Sequence, residues 1–154
     1  MGYNDEQMII EAVKRELANM VVPLTAGGIY VGKRSGERLF ALVADGEPFD
    51  AAQLPAAFVR TVADETAPDA GMGASENLRL EIHLALGALS AEDRRALIFL
   101  RNLVFETFDE KREIAGIAGH FITEVKRGEV LGAQGARPAL RSVVTLEIGL
   151  FKAQ

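Results

Sequence analysis

The side chains with most chemical potential alternate along one run: Arg79, Glu81 and His83 in Leu78-Arg79-Leu80-Glu81-Ile82-His83-Leu84-Ala85-Leu86. A carboxylate beside an imidazole is raw material for general acid–base catalysis. That role also needs a cleft, a geometry aimed at substrate and a tuned pKa. The period-two spacing instead puts all three on the polar face of a strand, where a cross-strand ladder is the plainer use of them. The other histidine, His120, follows Gly119 in a turn-like position. Asp64, Glu65 and Asp69 lack the alternating oxygen ligands of a calcium loop. Gly71-Met72-Gly73 is followed by no Gly-Lys-Ser/Thr and has no dinucleotide-fold spacing, so it is no phosphate cradle. Asp109, Glu110 and Glu113 interleave with Lys111 and Arg112 as at a solvated helix end. His-Glu-x-x-His and Gly-x-Ser-x-Gly patterns are absent. There is no cysteine, which excludes disulfides, thiolate metal sites and cysteine nucleophiles. The sequence therefore predicts no catalytic residue, no metal site and no cofactor.

The elements that must position these residues are clearest in the middle of the chain. Leu78, Leu80, Ile82, Leu84 and Leu86 alternate with polar residues, predicting a half-buried strand of an antiparallel sheet. After Gly87-Ala88-Leu89-Ser90 the period changes: Leu97, Leu100, Val104 and Phe108 form one stripe of an amphipathic helix over 91–108, with Ser90 placed to cap it. A strand of roughly 30 Å and a helix of roughly 27 Å match, so the helix is expected to lie along the sheet's apolar face. Upstream, Asn4 and Asp5 are placed to cap a first helix carrying Ile9, Val13, Leu17 and Met20. Ile29–Val31 and Leu39–Val43 flank Lys33-Arg34-Ser35-Gly36 and predict a hairpin with a basic tip, followed by a turn at Asp45-Gly46-Glu47-Pro48. Leu54–Val62 reads as a strand, 64–77 as a mobile loop, Phe121–Leu131 as a strand bulged at Gly128, and Leu140–Phe151 as the last strand. The fold class is α+β: a mainly antiparallel sheet with an N-terminal helix and one long helix packed on one face.

At 154 residues the chain is expected to be a single domain, 1–154, with 29–50 as a hairpin extension. Twenty-two acidic against seventeen basic side chains give −5, a balance that argues against a grip on duplex DNA. No apolar run approaches the ~18 residues needed to cross a bilayer. Met1-Gly2-Tyr3-Asn4-Asp5-Glu6 lacks the basic-then-apolar pattern of a signal peptide, so no membrane partner is expected.

Leu54-Pro55-Ala56-Ala57-Phe58-Val59-Arg60-Thr61, leading into Asp64-Glu65 and the Leu78–Leu86 strand, is similar to the middle of the tail terminator (tail completion) proteins of tailed bacteriophages. Gly135-Ala136-Arg137-Pro138, followed by Arg141 and the Val143–Phe151 strand, resembles the end of the same proteins. The resemblance implies a structural virion protein without enzymatic activity. It would form a homo-hexameric ring on the tail tube protein, stop tube growth and join the tail to a neck, or head-completion (stopper), protein. The implied place is the tail and neck of the virion, assembled in the host cytoplasm. DNA would pass through the lumen without specific binding, as suits a ring near −30 from six copies at −5 each. The expected subunit or tube contacts are Lys33, Arg34, Arg38 and Phe40 of the hairpin and Val143, Thr145 and Phe151 of the last strand. Removing the hairpin at 33–40 is expected to leave the subunit folded. Two other classes stay open: another neck or minor tail component, and a small ferredoxin-like ligand-binding domain or enzyme centred on Glu81 and His83.

Overall fold

A computed structural model of the chain describes residues 3–23, 36–46, 54–62, 75–87, 91–110, 112–113, 120–131 and 139–151. In chain order these form α1 (Tyr3–Asn19), β1 (Leu42–Asp45), β2 (Ala56–Val62), β3 (Ser75–Gly87), α2 (Ala91–Glu110), β4 (His120–Arg127) and β5 (Ala139–Phe151). The strands make one sheet in the order β1-β2-β3-β5-β4. Every neighbouring pair is antiparallel except β1 with β2. The α+β class read from the sequence is the class the chain adopts.

The alternation of β3 sets the core. Leu80, Ile82 and Leu84 lie opposite Leu146, Val144 and Ser142 of β5, and opposite Thr61, Val59 and Ala57 of β2. All of these except the half-buried Thr61 are buried. α2 covers β3, β4 and β5 with Leu97, Leu100, Val104 and Phe108, while α1 covers β1 and β2 and contributes Ile9, Val13 and Leu17 to the same core. Both helices therefore lie on one face, as the apolar stripes require. Lys14 also bonds Asp45, tying α1 to the end of β1. That bond to Asp45 holds the Lys14 amine above its ordinary pKa.

Several local expectations are corrected. α1 begins at Tyr3, so Asn4 and Asp5 lie inside its first turn rather than capping it. The helix ends at Asn19, before Pro23. The partner of the run after Gly36 is the segment just past α1: Val21 bridges Arg38, Val22 N donates to Glu37 O at 2.8 Å and Leu39 N to Met20 O at 2.9 Å. Gly36 takes φ 89°, open to glycine without strain. β1 then runs parallel to β2, from Leu42↔Ala56 to Asp45↔Val59, while the other arm of the expected hairpin lies outside the described residues. Leu39 and Phe40 are buried in the core, so residues 36–40 are not a detachable extension. β3 starts at Ser75, three residues inside the expected loop, because Ser75–Asn77 pair with Gly149–Phe151. In β4 the irregularity lies between Ile122 and Glu124, at Thr123, and the strand ends before Gly128. Ser90, Ile29–Val31 and most of the 64–77 loop lie outside the described residues.

Leu100, on the inner face of α2, is fully buried. Leu100→Ala should destabilise the subunit by about 2–5 kcal/mol through lost burial and a residual cavity. Chemical denaturation measures this directly, and an unchanged midpoint would mean that α2 is not packed on the sheet.

Candidate functional site

Among the described residues no helix lies on the other face of the sheet, and the period of two sends the polar residues of β2, β3 and β5 there. Register places them in rows across the strands. Phe58, His83 and Val143 make one row, Arg60, Glu81 and Thr145 the next, and Val62, Arg79 and Glu147 the third. β4 adds Lys126 beside Thr145 and Glu124 beside Glu147. The face is graded along the strands. Ala56, Phe58 and Ala85 are buried at one end, Glu81 and His83 are half-buried in the middle, and Arg79 is exposed at the other end.

Glu81 is the hub of the middle row. Its Oε1 accepts from Arg60 Nε at 3.0 Å and from His83 Nε2 at 2.9 Å. The glutamate side chain keeps 23 % of its surface exposed and the imidazole 19 %. Burial is the largest single influence on the Glu81 carboxyl and pushes its pKa up. The hydrogen bonds and charges of His83 and Arg60 together outweigh it, so the group sits below the ordinary glutamate range. One row away, Arg79 Nε donates to Glu147 Oε1 at 2.6 Å. This is a cross-strand ladder of ion pairs, which makes the face polar.

The expected contact residues divide. Val143 and Thr145 are half-buried on this face, in the rows of His83 and Glu81. Phe151 is the last residue of β5. Phe40 does not belong with them: at 6 % exposure it is a core residue of its own subunit. Arg38 is exposed, and its Nη1 reaches Ala18 O near the end of α1 at 3.5 Å, a bond to a terminal helix carbonyl. Lys33, Arg34, Asp64, Glu65, Asp69 and Gly71–Gly73 lie outside the described residues, as do the side chains of His120 and Phe151. Sequence reasoning missed Arg60 and Glu147 as members of the ladder. Both are charged residues at outward positions of apolar strands, a signal that marks the face but not the cross-strand partner.

Among the described residues, no group of His, Asp and Glu side chains has the proximity to hold a metal ion. No described helix is long and apolar enough to cross a membrane. No protein-family model matches the chain, and no curated protein matches it.

A carboxyl whose pKa is lowered on folding contributes stability above its unfolded pKa, and that contribution fades as pH falls through the folded value. Glu81→Gln should therefore be less stable than the parent near neutral pH, by less than about 1 kcal/mol because the pair is partly solvated. The gap should narrow as pH falls below the ordinary glutamate range. Urea midpoints for both proteins across that range check it. A gap that widens in acid would reverse the assignment.

Proposed function

We propose that this chain is a structural subunit of the tail terminator kind, a protein that closes a six-fold ring on the end of a phage tail tube and connects it to the neck. The observation that carries this reading is a joint one. The stretches Leu54–Thr61 and Gly135–Phe151 resemble such proteins, and the order of an N-terminal helix, a sheet and one long helix across it agrees with them. The one-sided sheet supports it further. A subunit that must contact two neighbours, a tube and a neck needs surface left over after its core is built. Here both described helices pack on one face, and the opposite face carries the polar ladder. Closure as a ring requires head-to-tail contacts whose rotation per subunit fits the symmetry. The net charge of −5 per copy suits a lumen through which DNA slides without sticking. On this reading the subunit assembles in the host cytoplasm, acts in the virion and turns over no substrate.

A second reading draws on the Glu81–His83 pair. Glu81 fixes the imidazole through Nε2, which leaves Nδ1 as the ring nitrogen to meet a ligand. His83→Gln separates the two: a structural subunit should fold and assemble as the parent does, whereas specific loss of a turnover activity with the fold retained would favour the enzyme.

The test of the ring is capping. Mixed with assembled tail tubes, the protein should appear by electron microscopy as a six-fold ring at tube ends. Thr145→Arg, a charge placed on the helix-free face, should weaken capping by at least ~10-fold, as loss of a central contact does, while the subunit melts as the parent does. Binding along the tube walls, or none, would sink the terminator reading.

A further inference from the structure

We propose that Arg101 and Arg127, gathered on Asn102 where α2 passes the end of β4, form a seat for a phosphate-type dianion. This goes beyond the ring reading and does not depend on it. Arg127 is the last residue of β4, and its register with Val144 turns it toward α2. There its Nη1 donates to Asn102 Oδ1 at 3.1 Å, and its guanidinium lies 4.8 Å from the centre of the Phe105 ring. Arg101 donates Nε and Nη2 to the same Oδ1, each at 3.3 Å, and Nη1 to Gly128 O at 3.0 Å. Two full positive charges thus converge on one neutral amide oxygen.

The pair stands apart from the other described arginines in sharing one side-chain acceptor, Asn102 Oδ1. Arg60, Arg79 and Arg112 each meet a carboxylate: Glu81, Glu147 and Asp109. Among the described residues, no carboxylate lies within ion-pairing distance of Arg101 or Arg127; their partners are Asn102, Gly128 and the face of Phe105. Like charges held this close repel, and Asn102 spreads that charge without cancelling it. Each guanidinium retains unused N–H donors, because an arginine carries five of them. Those donors match the geometry of a tetrahedral oxyanion, which accepts from two forks at once. A dianion would neutralise both arginines, whereas a monocarboxylate would neutralise one. The stacking on Phe105 and the bonds to Asn102 and Gly128 fix both side chains beforehand, so little rotamer freedom remains to be lost on binding.

Inorganic phosphate is the probe, with sodium chloride and sodium acetate at matched ionic strength as controls. Phosphate should raise the melting temperature of the full chain saturably, and more than either control. In Arg127→Gln, an exposed position, the phosphate concentration giving half the effect should rise at least ~10-fold, as removal of one of two charge-assisted donors implies. Asn102→Asp places a carboxylate between the two guanidinium groups. It should raise the melting temperature in chloride and abolish the phosphate response. Equal effects of phosphate and chloride, an acetate response as large as the phosphate one, or an unchanged response in Arg127→Gln would each overturn the proposal.

Discussion

The structure depends on the antiparallel pairing of β3 and β5, two strands of thirteen residues in register along their whole length. Their inner face joins Leu80, Ile82, Leu84 and Leu86 to Ile148, Leu146, Val144 and Leu140, an apolar surface that must leave water. That requirement orders what surrounds it. α2 lies across β3, β5 and β4 because its own stripe needs the same cover. Among the described residues the one buried polar side chain on that face, Ser142, is satisfied by Gly128 O at 3.2 Å. β4 must present both Ile122 and Val125 inward, although residues three apart on a regular strand point to opposite faces. An extra residue at Thr123 resolves this. The register steps from Ile122↔Ile148 to Glu124↔Glu147, and Thr123 Oγ1 donates to Glu147 O at 3.2 Å.

The same pairing generates the opposite face. Once the even-numbered residues of β3 are committed inward, Arg79, Glu81 and His83 must point away from the helices, into register with Val62, Arg60 and Phe58 of β2. The ladder follows from register rather than from any local motif. In its half-buried middle row His83 and Arg60 outweigh the effect of burial and hold the Glu81 carboxyl below its ordinary range, and its open end is solvated, where an ion pair adds little to stability. The core and the candidate surface are two sides of one pair of strands.

Much of this was legible in the sequence because periodicity is local. The alternation over Leu78–Leu86 and Val143–Phe151 and the three- and four-residue steps from Leu97 to Phe108 each identify an element and its inward face. Partner choice is not local. Leu39–Val43 is short and apolar, and nothing in it announces the return beside Met20–Val22 or the parallel pairing with β2. For the same reason Phe40, next to a basic cluster, passed for a surface residue. Ser75–Asn77 reads as loop by composition, yet backbone pairing with the end of β5 overrides side-chain preference. Gly128 carries the usual bulge signal, but the bulge falls where face matching demands it. Arg60 and Glu147 were visible as charges and invisible as partners, since a single strand reveals its face and not its neighbour.

The central claim is that one face of the β3–β5 pair builds the fold and the other meets partners. Because the chain has no cysteine, single cysteines placed on adjacent residues of β5 report the two faces without background. Val144 is fully buried and Thr145 half-buried on the opposite side. Maleimide labelling should leave Val144→Cys unreacted in the free subunit and on tail tubes alike. It should modify Thr145→Cys in the free subunit and lose that reactivity when tubes are capped. Equal labelling of Thr145→Cys free and on tubes, or labelling of Val144→Cys as fast as Thr145→Cys, would contradict the account.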